Sequence, residues 1–169
     1  MEEVCIAVGA GWIELELRAA CAEGGRVVEV DGEITLTERP PLADGTTLRG
    51  GTLRGWGLVV VRGASVRVEG VAILDSQGSG IVVAGGGVVA VHSGSIRGSR
   101  NNGVFVNGAG SKASLTGVAV ENSRASGVWA GYGGVVSLQG GSVSGSGRDN
   151  YRERGGGRIE HHSGMFGNL

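Results

Sequence analysis

The stretch GIVVAGGGVVAVHSGSIRGSRNN (80–102) is followed at once by GVFVNGAGSKASLTGVAVENSRAS (103–126), which repeats its pattern. The same pattern extends in both directions and divides the chain into 57–79, 80–102, 103–126 and 127–149, with lengths of 23, 23, 24 and 23 residues. Periods of this size are typical of solenoids, in which each coil buries its apolar side chains by stacking on its neighbours.

Each repeat contains three short segments in which apolar and polar residues alternate. Alternation with a period of two predicts strands that bury one side, so three segments per repeat predict a three-sided coil. The apolar positions align as Leu58/Val60, Ile81/Val83, Val104/Val106 and Val128/Ala130 in the first segment, as Val66/Val68, Val89/Val91, Ala113/Leu115 and Val136/Leu138 in the second, and as Ile73, Ile96, Val120 and Val143 in the third.

The composition favours the same all-β fold class. The 169 residues include 36 Gly and only 2 Pro, and 4% of them are aromatic. Each Gly inside a helix costs about 1 kcal/mol relative to Ala, whereas tight corners between short β-branched strands accommodate Gly well. We therefore predict a parallel β-helix with about 23 residues in each coil. A ladder of serines is expected at one corner, formed by Ser76, Ser99, Ser123 and Ser146.

The chain is predicted to form one domain, 1–169, in three parts. Residues 1–44 are expected to hold an N-terminal strand, a capping helix and the first strands, 45–149 the regular coils, and 150–169 a degenerate final coil. In the first part, RVVEV (26–30) and EITLT (33–37) are predicted strands. The final coil is predicted because GGGRIEHHSGMFGN (155–168) aligns with GGGVVAVHSGSIRG (85–98). In that alignment Ile159 stacks with Val89, His162 with His92 and Phe166 with Ile96.

The capping helix is predicted within WIELELRAACAEGG (12–25). Ile13, Leu17 and Ala20/Cys21 would share one apolar face, and Glu14 is spaced to pair with Arg18 at i,i+4. The alternation of Ile13, Leu15 and Leu17 would also suit a strand, so both alternatives remain open from the sequence.

An amphipathic N-terminal helix, then GGRVVEVDGEITL and PPLADGTTLRG, then coils that begin G-V-x-V, resembles the pectin lyase-like superfamily. The resemblance covers essentially the whole chain and implies a right-handed single-stranded parallel β-helix of about six coils. It implies little about activity, because that superfamily includes polysaccharide lyases, hydrolases, epimerases, viral spike proteins and non-enzymatic modules. Its enzymes usually carry more coils and long loops around a substrate cleft, and this chain has almost no insertions.

Charge and targeting signals narrow the classes of partner. Residues 1–44 carry a net charge of −7 and residues 45–169 one of +6, so head-to-tail or antiparallel docking of two copies is expected. No nucleic-acid-binding motif accompanies the arginines, and no membrane-spanning apolar run or export signal is visible in the sequence. We therefore expect no nucleic acid and no membrane partner, and a cytoplasmic location by default, with secretion or a place in a virion left open.

Stacked columns, rather than linear motifs, supply the catalytic candidates. His92 and Glu69 share an outward column and are candidates for proton transfer, with Tyr132 as a third candidate. A solvated Glu–His contact is the alternative interpretation of that pair. The column Asp75, Gly98, Asn122, Gly145 has too few carboxylates for calcium, and the adjacent His161 and His162 point to opposite faces. We expect no metal and no cofactor.

Three arginines are candidates for binding an anion. Arg100 and Arg124 share a column just after the serine ladder, and Arg97 lies close by. Stacked guanidinium groups bind carboxylate or phosphate through paired hydrogen bonds, so an acidic polysaccharide is one candidate ligand. The alternative is that Glu121 and Asp75 neutralise these arginines.

An apolar column stands out among the outward positions. Val59, Val82, Phe105 and Trp129 lie between the two inward columns of the first strand, and exposed apolar surface of this kind marks a binding face. A loop, the N-terminal segment or the tail would cover it in the alternative interpretation. The sequence thus favours a non-catalytic structural or interaction module that forms a homo-oligomer or binds another protein. A small lyase- or epimerase-like protein acting on acidic polysaccharide is the second hypothesis.

Overall fold

The repeats fold into the strands of a parallel β-solenoid of about six turns, seen in a computed structural model that describes residues 6–8 and 13–162. The elements, in chain order, are β1 (Ile6–Val8), α1 (Ile13–Glu23), β2 (Val27–Val30), β3 (Glu33–Thr35), β4 (Pro41–Leu42), β5 (Thr47–Arg49), β6 (Thr52–Arg54), β7 (Leu58–Val60), β8 (Ser65–Leu74), β9 (Ile81–Ala84), β10 (Val88–Arg97), β11 (Val104–Asn107), β12 (Lys112–Thr116), β13 (Ala119–Glu121), β14 (Val128–Gly131), β15 (Val135–Gln139), β16 (Ser142–Ser144), β17 (Tyr151–Arg154) and β18 (Arg158–His162).

The strands form three faces that run along the solenoid axis. Face 1 stacks β4, β7, β9, β11, β14 and β17. Face 2 stacks β1, β2, β5, the first half of β8, the first half of β10, β12, β15 and β18. Face 3 stacks β3, β6, the second halves of β8 and β10, β13 and β16. Every pairing is parallel, because each coil continues in the same direction as the coil below it.

The register confirms the repeat alignment residue by residue. Val66 pairs with Val89, Val89 with Ala113 and Ala113 with Val136, and all four side chains are buried. The extra residue of the third repeat lies in the corner 107–111, between faces 1 and 2. There the buried Ser111 hydroxyl donates to the Asn107 carbonyl (2.8 Å) and accepts from the Gly86 amide (3.0 Å), so the longer corner is tied to the coil below.

The corner between face 3 and face 1 contains the predicted serines. Ser76, Ser99 and Ser123 are buried in one stack, and the Ser76 hydroxyl donates to the Ser79 carbonyl at 2.9 Å. The hydroxyls of Ser99, Ser123 and Ser146 have no hydrogen-bond partner among the described residues, so the expected hydrogen-bonded ladder is wrong beyond its first member. These hydroxyls instead pack where a column of glycines leaves space, as Ser123 Oγ does 2.8 Å from the point a Cβ of Gly103 would occupy.

At the N-terminal end, α1 caps the solenoid. The helix contacts β1 to β4, and Leu17, Ala20 and Cys21 are buried, which confirms the helical alternative. Ile13 begins the helix, but its side chain lies outside the described residues. Burial raises the pKa of the Cys21 thiol to about 12, so the group stays a neutral thiol at ordinary pH.

The predicted Glu14–Arg18 pair is wrong, because both side chains have partners outside the helix. The Glu14 carboxylate accepts from the Thr37 amide at 2.7 Å, and Arg18 pairs with Glu38 at 2.8 Å. Both contacts join α1 to the segment after β3, so the charges dock the helix on the solenoid instead of supporting it internally.

The final described coil keeps the register but changes the chemistry of its inward positions. Ile159 pairs with Val136, as the alignment predicts, whereas Tyr151, Glu153 and His161 follow Val128, Ala130 and Leu138. Tyr151 and His161 meet edge to face at 4.7 Å, and Glu153 accepts from the Ile159 amide at 2.7 Å. In this coil, Tyr151, Glu153 and His161 thus replace apolar side chains at three of the inward positions. Phe166 lies outside the described residues.

Among residues 6–8 and 13–162, no helix is both long and apolar enough to cross a membrane.

Candidate binding face

The apolar stripe on face 1 is a single outward column. Parallel pairing places Val59 beside Val82, Val82 beside Phe105 and Phe105 beside Trp129, and all four side chains are half-buried. The column continues to Pro41 at one end and to Arg152 at the other. Since adjacent parallel strands lie about 4.8 Å apart, the six positions span about 24 Å along the axis.

An aromatic cluster forms the C-terminal half of this stripe. The rings of Phe105 and Trp129 stack with centroids 4.5 Å apart and planes inclined by 15°. Tyr132, at the corner after β14, lies 6.2 Å from Trp129 and is 58% exposed. Phe105, Trp129 and Tyr132 therefore present one continuous aromatic surface.

The backbone of Tyr132 is unusual for an aromatic residue. Its φ of 49° lies in the left-handed region, where the equivalent residues of neighbouring coils are Gly85, Gly108 and Gly155. A bulky residue in this region costs on the order of 1–2 kcal/mol, and strain of this kind concentrates at functional sites. From the sequence, Tyr132 is a candidate only for proton transfer. Its left-handed backbone beside Trp129 favours instead a role for the exposed ring itself, as part of the aromatic surface.

The elements near the stripe leave it partly open. Helix α1 packs on β1 to β4 at the N-terminal end, and the strands that carry Val82, Phe105 and Trp129 contact neighbouring coils. Of the covers considered from the sequence, the N-terminal segment reaches β4 at the Pro41 end of the stripe through α1, and the tail after His162 lies outside the described residues.

The three anion-binding candidates have different environments. Arg97 pairs with Glu121 at 2.8 Å, as the neutralisation alternative expected. Arg100 and Arg124 share a column at the corner between faces 3 and 1, are exposed, and form no ion pair within the described residues. The other neutralising candidate, Asp75, binds Arg54 at 2.7 Å instead. Two of the three arginines thus remain available to a ligand.

Two further arginines at the same corner were missed from the sequence. Arg39 reaches along the axis to donate to the Ser79 carbonyl at 2.8 Å, and its guanidinium lies 5.3 Å from the centre of the Trp56 ring. Burial lowers the pKa of Arg39, and no carboxylate pairs with it among the described residues. Arg148 lies in the next coil, where its amide donates to the Ala125 carbonyl and Gly147 takes the position of Arg124. No linear motif signals these positions, because Arg39 enters the corner only through the length of its side chain.

The proton-transfer candidates Glu69 and His92 are neighbours in register. The Glu69 carboxylate, however, accepts from Arg49 Nε at 3.1 Å and lies 3.6 Å from Arg67 Nε. No hydrogen bond joins Glu69 to His92 in the described part of the chain. Because the Glu69 carboxylate contacts these arginines, the geometry does not support a role for Glu69 in orienting His92.

Backbone conformation explains the residue types in the column that was considered for calcium. Asp75 (φ 53°), Gly98 (φ 69°), Asn122 (φ 57°) and Gly145 (φ 67°) all adopt the left-handed region, which Asp, Asn and Gly tolerate best. His161 points inward toward Tyr151, whereas the His162 ring lies on the opposite side, 3.9 Å from Glu160. Within the described residues, no three His, Cys, Asp or Glu side chains are grouped so as to hold a metal.

Comparisons of the chain with protein-family models, with curated proteins and with solved structures found no match.

Proposed function

We propose that this protein is a non-catalytic β-helix module that associates with a second copy of itself through face 1. The observation that carries the proposal is the aromatic cluster of Phe105, Trp129 and Tyr132. It is partly exposed, lies on a rigid sheet, and keeps Tyr132 in a conformation that neighbouring coils assign to Gly.

Energetics favour the stripe over the exposed charges as the source of affinity. Complete burial of an aromatic or aliphatic side chain of this size contributes about 1.5–3 kcal/mol, whereas an exposed ion pair contributes about 0–1 kcal/mol. The stripe is smaller than a standard interface of about 800 Å² per partner, so we expect a weak dimer whose population rises with concentration.

Light scattering on size-separated protein tests the proposal directly. We expect the wild type to form a dimer that persists in high salt, and Phe105→Ala/Trp129→Ala to remain monomeric at the same concentration. Val88→Ala/Val135→Ala is the matched control, because it truncates two half-buried outward side chains on face 2 and should leave the dimer intact.

Tyr132→Gly supplies an independent arm of the same test. It removes the ring and relieves the left-handed backbone, so association should weaken while the melting temperature does not fall. A dimer that survives both the aromatic double variant and Tyr132→Gly would refute the role of face 1. Loss of association accompanied by unfolding would show a structural role of these rings instead.

A second candidate function is binding of an acidic polysaccharide, as in the pectin lyase-like superfamily that the sequence resembles. It is supported by the corner between faces 3 and 1, where Arg39, Arg100, Arg124 and Arg148 lie without a carboxylate partner among the described residues. Guanidinium groups repeated along the axis suit a linear polymer that carries regularly spaced carboxylates.

Binding of polygalacturonate and alginate, followed by calorimetry and by absorbance of unsaturated products, tests this second function. Arg100→Gln/Arg124→Gln should weaken polymer binding, whereas Arg97→Gln should not, because Glu121 already pairs with Arg97. No binding by the wild type would eliminate the candidate, and release of unsaturated or epimerised product would make the protein an enzyme.

A further inference from the structure

We infer that the second copy docks on face 1 in antiparallel orientation, about a twofold axis that runs parallel to the strands between Val82 and Phe105. The inference rests on the proposed self-association and specifies its geometry. Such an axis reverses the solenoid direction but keeps each lateral edge of face 1 against the same edge of the partner. It therefore predicts which residues meet.

The sizes of the stripe residues favour this orientation. Side chains are small toward the N-terminal end, at Pro41, Val59 and Val82, and large toward the C-terminal end, at Phe105 and Trp129. Antiparallel docking places Trp129 opposite Val59 and Phe105 opposite Val82, so that bulk meets a shallow surface. Parallel docking would place Trp129 on Trp129 and leave a gap between the valines.

Charges at the two ends of face 1 are complementary in the same arrangement. Glu38, which pairs with Arg18 and is still 60% exposed, and Asp44 flank β4 on its two sides, while Arg148 and Arg154 lie on the corresponding sides at the β17 end. The twofold axis brings Glu38 toward Arg148 and Asp44 toward Arg154. Parallel docking would instead bring like charges together, which is unfavourable.

Tyr132, whose backbone is in the left-handed region, also contacts the second copy in this arrangement. Arg62 occupies the same corner column as Tyr132, three coils toward the N-terminal end, and is exposed without an ion pair among the described residues. The proposed twofold axis exchanges the coil of Arg62 with the coil of Tyr132, so Arg62 of each copy faces the Tyr132 ring of the other. A guanidinium over an aromatic ring is attractive, and the contact occurs twice in the dimer.

Spin-label distances in the full chain, with Cys5→Ser as the background, test the orientation. In the dimer, labels on Arg154→Cys should lie about 24 Å apart along the solenoid axis, because the two sites are at opposite ends of the paired faces. Labels on Ala84→Cys, close to the twofold axis, should be offset along the solenoid axis by only one coil spacing, about 5 Å, and should broaden the spectrum. Equal distances for the two labels would establish parallel docking, because Ala84 and Arg154 share one column, and would overturn the inference with the proposed self-association intact.

Two other outcomes are distinguishable from that one. A dimer by light scattering with no coupling between Ala84→Cys labels would place the interface away from face 1 and overturn both proposals. Arg62→Ala should weaken dimerisation about tenfold, whereas Arg67→Ala, on face 2, should not change it. An unchanged dissociation constant for Arg62→Ala would also overturn the predicted register.

Discussion

The coils between residues 27 and 75 and those between 103 and 144 share the same inward columns and differ in their outward ones. In the first region, Arg49 joins Glu29 (3.3 Å) to Glu69 (3.1 Å), so one arginine links three coils. Arg54 does the same on face 3, between Glu33 (2.8 Å) and Asp75 (2.7 Å). In the second region, the equivalent positions on face 2 hold the uncharged Thr116 and Gln139. On face 3 the column of Arg54 continues to Glu121, which pairs with Arg97, and then to Ser144.

This difference shows that the outward surface is free to vary once the inward columns are filled. The first region uses its outward side chains to link neighbouring coils through ion pairs. In the second region, the described residues form fewer such links, of which Arg97 with Glu121 is one, and Phe105 and Trp129 lie on face 1. The inward columns are thus common to both regions, whereas the aromatic part of the stripe lies only in the second.

The largest expected effect tests whether the inward columns are equivalent. Leu53 and Leu115 are both buried, one in each region. Replacement by Ala should lower the free energy of unfolding by about 2–5 kcal/mol in each case, because each leaves a cavity in a packed column. Urea unfolding measures the change, and Leu15→Ala, at a position 72% exposed, is the control. A much smaller loss at one site would show that the two regions are not equally packed.

The glycine column at the corner between faces 3 and 1 should give the next largest effect. A Cβ on Gly57, in the first region, would meet the carbonyl oxygen of Gly80, and a Cβ on Gly103, in the second, would lie 2.7 Å from the carbonyl oxygen of Gly127. Ala at either position should therefore cost about 1–3 kcal/mol in both regions. The control is Gly117→Asn, since nothing lies within 4 Å of that site and Asn tolerates its left-handed backbone. Equal stability of Gly103→Ala and the wild type would contradict the corner geometry.

Alkaline pH should weaken the N-terminal end through Cys21. Its pKa rises from 9.0 to about 12 on folding, so above pH 9 the unfolded chain loses a proton that the folded chain retains. The free energy of unfolding should then fall, by about 1 kcal/mol between about pH 8 and about pH 10. The difference between wild type and Cys21→Ala, measured by urea unfolding at each pH, isolates this contribution. A pH dependence identical in the two proteins would rule it out.

The smallest effect should come from the arginines that link the N-terminal coils. Hydrogen bonds to Glu69 and Glu29 raise the pKa of Arg49, and those to Glu33 and Asp75 raise the pKa of Arg54, so both stay charged. Arg49→Gln and Arg54→Gln should slightly lower the melting temperature in low salt and have no effect in high salt. Arg100→Gln and Arg124→Gln should change nothing in either condition. A salt-independent loss for Arg49→Gln would indicate packing of its stem instead.

The repeat pattern determined much of this protein from the sequence alone. The strand positions of the regular coils, their inward columns, the register from Leu58 to Ile159 and the apolar stripe all follow from a period of about 23 residues and an alternation of two. These features are predictable because each coil is the template for the next, so a residue's neighbours are its equivalents in the sequence.

The tertiary structure decided the contacts that cross between columns. It paired Arg18 with Glu38 instead of Glu14, gave Glu69 to Arg49 instead of His92, and brought Arg39 to Ser79. It also showed that Tyr132 adopts the left-handed backbone of a glycine beside Trp129. Such contacts depend on where a long side chain ends and on which of several partners it reaches, and a repeat period specifies only where the side chain begins.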